Sequence, residues 1–149
     1  MKQLITGILL TLATTLFAQQ KQYNTTNGIL AKGYDVVAYF NNTAVKGNKK
    51  FMTTYDGVKF QFLNTSNLDK FKNNPKKYIP QYGGYCSYAI GKTGKKAGIN
   101  PQTFEIRDGK LYLFYNAWGT NTLASWLKEG PGQLKESAGK NWKKIITKK

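Results

Sequence analysis

The chain has 149 residues, with 23 Lys plus Arg against 7 Asp plus Glu for a formal net charge of +16, aromatics at 14%, one Cys and no His. Without His there is no ordinary general base near neutral pH, no Ser/His or Cys/His nucleophile pair, and no zinc or copper site that needs imidazole. A single Cys excludes an internal disulfide framework and a closed thiolate metal site, so an aromatic core has to hold the fold together.

Met1-Lys2-Gln3 is a short positive start, Leu4 to Phe17 is apolar apart from Thr and Gly, and Gln19-Gln20-Lys21 turns abruptly polar. This is the pattern of a signal peptide over residues 1–18. The cut is expected before Gln19, where Ala18 suits the preceding position although Leu16 is large for the site two places earlier. The apolar run is too short, and too interrupted by Thr, to span a bilayer core of about 30 Å. No Cys follows it as a lipid acceptor. The expected product is exported, periplasmic or secreted, with no transmembrane segment. It has about 131 residues, the size of one domain, and is expected to be monomeric. Only Lys2 leaves with the signal, so its charge is +15. Such a field attracts polyanions and anionic surfaces, but a solvated lysine surface is the plainer reading. Arg107 is the sole Arg, which argues against bidentate phosphate or carboxylate clamps.

Residues 19–28 are polar and aperiodic and read as a flexible leader, with the domain over 29–149. Asp35 to Phe40 is short, apolar and β-prone. Phe51 to Tyr55 and Val58 to Phe62 flank Asp56-Gly57, a hairpin dipeptide. Asn64-Thr65-Ser66 offers caps for a helix over Asn67 to Asn73, with Pro75 just past its stop. Tyr78 to Tyr88 packs four Tyr, a Pro and two adjacent Gly around Cys86. Gly91 to Gly98 reads as a mobile Gly/Lys loop. Phe104 to Arg107 and Lys110 to Tyr115 form a second hairpin around Asp108-Gly109, its strands alternating to place one face in the core. Thr120 to Lys128 and Leu134 to Ile146 read as helices, split by Gly130-Pro131-Gly132. The fold class is α+β: a small single domain with two antiparallel β-hairpins and several short helices, ending in a basic helical part.

Chemistry is narrowed by elimination. Asp56 and Asp108 belong to hairpin turns, Asp69 to a helix first turn, and Glu129 and Glu136 to the basic tail. Asp35 and Glu105 remain, and strand-edge charge is the plainer reading than an acid/base pair. Gly91 to Lys96 has the wrong spacing for a phosphate loop. Lysines interleaved with Tyr78, Tyr82, Tyr85 and Tyr88 have the make-up of a single-strand nucleic-acid platform, but export argues against that partner. Cys86 has three readings: a buried small hydrophobe, a thiolate ligand for a soft metal such as Cu(I), or an exposed reactive thiol.

Lys32 to Phe40, the Tyr55-Asp56-Gly57 turn, Phe71 to Tyr78, Pro80-Gln81-Tyr82-Gly83-Gly84-Tyr85-Cys86, Asp108 to Asn116, Trp126 and Asn141-Trp142 together resemble the exported bacterial YHS domain proteins. The resemblance runs from about Ile29 through nearly the whole remaining chain. It implies a small α+β metal-binding module without established catalysis. The Cys that the wider YHS pattern places after its aromatic strand is replaced here by Phe60-Gln61-Phe62-Leu63, so Cys86 is the one ligand carried over. The expected function is a non-enzymatic binding domain for a small ligand, a cofactor or a soft metal such as copper. Its surface is expected to include Asp35, Tyr39, Tyr82, Gly83, Gly84, Tyr85 and Tyr88, with Cys86 as metal ligand. The alternative is an interaction protein for anionic surfaces, using Lys140, Lys143, Lys144, Lys148 and Lys149 around Trp142.

Overall fold

Four dipeptides, Asn27-Gly28, Asp56-Gly57, Asp108-Gly109 and Trp118-Gly119, take positive φ at both residues. That is the two-residue type I′ geometry whose twist matches antiparallel strands, and glycine accepts its second position without strain. In the computed structural model, which describes residues Gln22–Lys148, each of these turns closes a ladder. The signal peptide expected over residues 1–18 lies outside the described residues.

β1 (Thr25–Thr26) pairs antiparallel with β2 (Ile29–Leu30), and β2 pairs parallel with β4 (Val58–Phe62) through Ile29 and Lys59. β3 (Asn48–Tyr55) completes the sheet in the order β1-β2-β4-β3, in register from Tyr55↔Val58 to Met52↔Gln61 before a bulge. β5 (Asn100–Arg107) and β6 (Lys110–Phe114) form the second expected hairpin. Two hairpins were not expected, that of β1 with β2 and one joining β7 (Asn116–Ala117) to β8 (Thr120–Asn121). The α+β class with antiparallel hairpins is therefore as expected.

Two of the five described α-helices start where an Asn side chain satisfies their first N–H groups. Asn64 caps α1 (Thr65–Asn73) by accepting from Asn67 N at 2.8 Å. Pro75 does more than follow a stop, since it opens a second short helix, α2 (Pro75–Tyr78). α3 (Ser87–Thr93) takes in the start of the expected Gly/Lys loop. Asn121 caps α4 (Thr122–Glu129) through Leu123 N and Ala124 N. α5 (Pro131–Thr147) is the long C-terminal helix. Among the described residues no helix is long and apolar enough to cross a membrane.

Two apolar clusters share β6. Leu111 and Leu113 enter the larger one with Leu30, Tyr39, Phe60 and Phe71, whereas Tyr112 and Phe114 enter the smaller one with Trp126 and Leu134. The strand is thus buried on both faces rather than the expected one, as its uninterrupted apolar run allows. Phe71 anchors the larger cluster, 4.5 Å from the Phe60 ring and 5.1 Å from that of Phe62.

Two further expectations need correction. Asp35 to Phe40 is not a strand: the Asp35 carboxylate accepts from Val37 N and Ala38 N, which starts a 3-10 turn at Ala38–Asn41 despite the β-branched residues. The leader is tied down from Tyr23 onward. Asn24 N donates to Gly83 O at 2.8 Å, its side-chain amide donates to Gly84 O at 3.1 Å, and Tyr23 hydroxyl donates to Asp56 at 2.9 Å.

Candidate functional site

Those leader contacts build one wall of a cleft. The chain at Gln81–Gly84 makes a tight 3-10 turn in which Tyr82 and Gly83 both adopt left-handed φ, +57° and +60°. A Cβ on Gly83 would lie 1.9 Å from the Gln22 carbonyl oxygen and 3.2 Å from the Trp142 indole. Glycine alone lets the leader, the turn and the helix meet here. Tyr85 hydroxyl donates to Tyr23 O at 3.2 Å, holding the leader from behind.

The opposite wall is a stripe of α5. Gly139, Trp142, Lys143 and Ile146 stand at i, i+3, i+4 and i+7, which places them on one helix face. With Gln22 and Tyr23, and with Lys76, Ile79, Pro80, Gln81, Tyr82 and Gly83, they enclose a cleft of about 530 Å³. Trp142 is its aromatic wall, 6.3 Å from the Tyr82 ring and 6.3 Å from that of Tyr85. The Lys96 ammonium lies 5.0 Å from the centre of the Tyr85 ring and 6.0 Å from that of Trp142, and burial lowers its pKa.

Electrostatically the cleft is one-signed. Burial pushes the hydroxyls of Tyr82 and Tyr23 above the usual phenol range, with Tyr112 adding at Tyr82 and Asp56 at Tyr23, so both stay neutral at physiological pH. No carboxylate is among its lining residues; the formal charges there are Lys76 and Lys143.

The expected site residues do not all meet. Tyr82 and Gly83 line the cleft, and Gly84 and Tyr85 support it through Asn24, Tyr23 and Trp142. Tyr88 instead donates to Glu129 at 2.8 Å, beside the Lys92–Glu129 ion pair. Tyr39 is fully buried with its hydroxyl on Pro101 O at 2.5 Å. Asp35 lines no surface: it is fully buried, and its two oxygens accept from Val37 N, Ala38 N, Leu63 N and the Asn67 amide. Glu105, the other unassigned carboxylate, is a structural group, paired with Arg107 at 2.6 Å and accepting from Trp126 Nε1 at 2.9 Å. Missed altogether were Lys76, Ile79 and the α5 stripe as a stripe; its spacing of four residues on one face was the available signal.

The metal expected from the resemblance does not fit the residues present. Thr122 hydroxyl donates to Tyr115 O at 2.7 Å, so across its 3.3 Å contact with Cys86 the thiol is the donor. Tyr115 N in turn donates to the sulfur at 3.4 Å. Cys86 is fully buried, and both contacts of its sulfur are made inside the fold rather than toward an open coordination position. Asp35, expected on the binding surface, has both carboxylate oxygens occupied by N–H donors. Among the described residues no three His, Cys, Asp or Glu side chains are grouped to hold a metal ion.

Compared with family models, with curated proteins and with solved structures, the chain has no match.

Proposed function

We propose that this protein is an exported, non-enzymatic binding domain of the YHS-like kind, which takes a small organic ligand in the cleft between the Pro80–Gly83 turn and α5. The observation that carries the reading is the cleft itself: about 530 Å³, within the range of small-molecule sites, walled by Tyr82 and Trp142, and open to solvent at its lysine rim. The order and spacing of the motifs from Lys32 to Trp142 support the YHS-like placement, and the Met1 to Phe17 pattern supports export. A non-catalytic role is supported by what the reactive groups do instead. His is missing from the sequence, Asp35 and Glu105 are spent on structure, and Cys86 is enclosed. Trp142 supports the cleft reading, its ring lying 6.3 Å from those of Tyr82 and Tyr85 within the cleft wall.

The test is nuclear magnetic resonance mapping with a small-molecule fragment library. Shifts are expected to concentrate at Gly83, Gly139, the Trp142 indole and Ile146. Shifts centred on Cys86 or scattered over the surface would overturn the reading. Intact mass of the protein recovered from the periplasm or the medium, expected to begin at Gln19, checks export.

A further inference from the structure

Resting on the cleft reading, we infer that its ligand is an amphipathic carboxylate, a single compact anionic head on an apolar body. The body would lie along Ile79, Pro80, Trp142 and Ile146, and the head between Lys76 and Lys143. Three observations converge on this class. The lining offers apolar side chains and two cations with no carboxylate among them, and the neighbouring phenols stay neutral, so a cationic ligand would meet like charge from the lining itself. The cations are Lys, compact point charges that pair with one small anionic head without requiring bidentate geometry. Ile146 remains 38% exposed on a helix whose Leu134 and Ala138 are buried, and Gly139, two turns earlier on the same face, leaves the helix surface bare, with nothing within 4 Å of where a Cβ would stand. An apolar strip left uncovered beside two ammonium groups has the complementarity of a fatty-acid-like anion.

Gly139 supplies a clean test. Gly139→Leu adds a side chain into open space on the cleft face of α5, replaces a poor helix former by a good one, and leaves every charge in place. Binding driven by net charge therefore survives it, and binding in the cleft does not. Titration calorimetry with decanoate, decanol and decyltrimethylammonium, all below their aggregation concentrations, is expected to give one saturable site for decanoate and at least tenfold weaker binding of the cation. Gly139→Leu should weaken decanoate at least tenfold. Lys76→Gln with Lys143→Gln should weaken it about tenfold, the size of two rim-charge contacts, while leaving decanol unchanged. If anion and cation bind equally and Gly139→Leu blocks both, the carboxylate class is wrong and the cleft reading stands. Decanoate binding that Gly139→Leu leaves intact overturns the cleft as its site. Failure of all three ligands to bind overturns the inference, and the fragment map then judges the cleft separately.

Discussion

The carboxylate of Asp35 and the ammonium groups of Lys76 and Lys143 are all charges on a small basic protein, and the fold treats them in opposite ways. Around Asp35 the charge is taken inside and four N–H groups converge on it, joining the chain at Val37, Ala38, Leu63 and Asn67 into one rigid corner. Around Lys76 and Lys143 the charge stays at the edge of an apolar cleft that the chain leaves unfilled. Buried polar groups are retained when they are satisfied, and unsatisfied capacity collects where a ligand can reach it. The residues that look most chemical in the sequence, Asp35 and Cys86, are the ones the interior has used up.

The largest expected effect acts on both regions at once. Tyr39 in the interior and Tyr23 and Tyr82 at the cleft all have hydroxyls pushed above the phenol range, chiefly by burial. In the unfolded chain these groups ionise near pH 10. Because the folded values are raised, the stabilisation is complete below about pH 10 and is lost as pH rises from there toward the folded values. Denaturant midpoints should hold steady up to about pH 10 and fall beyond it. Tyrosinate absorbance should develop in two stages, the later one together with loss of structure. A single titration of all ten Tyr near pH 10 with the fold intact would show that burial at neither region holds protons on.

Next in size is Asp35→Ala, which strands three backbone N–H groups and the Asn67 amide in the interior and is expected to cost about 3–5 kcal/mol. Asp35→Asn should be nearly as costly, because its amide nitrogen would face a donor whichever way it is turned. Ligand affinity per folded molecule should not change. A soluble, stable Asp35→Ala protein that has lost binding would move Asp35 from the structural region to the functional one.

Sequence reasoning read the periodic parts of this molecule well and its exceptions poorly. Asp56-Gly57 and Asp108-Gly109 announced their hairpins because Asp and Gly are what a type I′ turn favours. Trp118-Gly119 makes the same turn without that signature, so β8 falls inside the helix expected from Thr120 and β7 has no signal of its own. Asp35 hid its role because the turn it caps is rich in Val and carries no helix periodicity. At the cleft, the Tyr82-Gly83-Gly84-Tyr85 cluster was legible as unusual and does form one wall. The facing wall depended on which side of α5 the fold leaves uncovered. That is a tertiary fact, which the cation-rich sequence around Trp142 does not display.

A smaller effect, confined to the cleft, is expected from Gly83→Ala. The new methyl meets the Gln22 carbonyl oxygen and the backbone is held at φ +60°, so about 2 kcal/mol should be lost, with amide exchange at Asn24 accelerating first. Cleft binding should weaken with it. Loss of stability without any change at Asn24 would mean that the leader is not held by this turn.

The smallest effect lies outside both regions and runs the other way. Trp118 stands at the first position of its two-residue turn with φ +53° and is 97% exposed. A bulky residue in the left-handed region is strained, and at that exposure the indole recovers almost nothing through packing. The three equivalent positions carry Asn27, Asp56 and Asp108, which accept this geometry readily. Trp118→Asn should therefore stabilise the fold by about 0.5–1 kcal/mol and raise Tm. Decanoate binding should be unchanged, since Trp118 does not line the cleft. Iodide should quench Trp118 readily in the native protein and leave the fully buried Trp126 dark to it. If Trp118→Asn destabilises instead, the indole makes contacts that offset its strain, and the tip of the β7–β8 hairpin would join the cleft as a place where stability and exposure are set against each other.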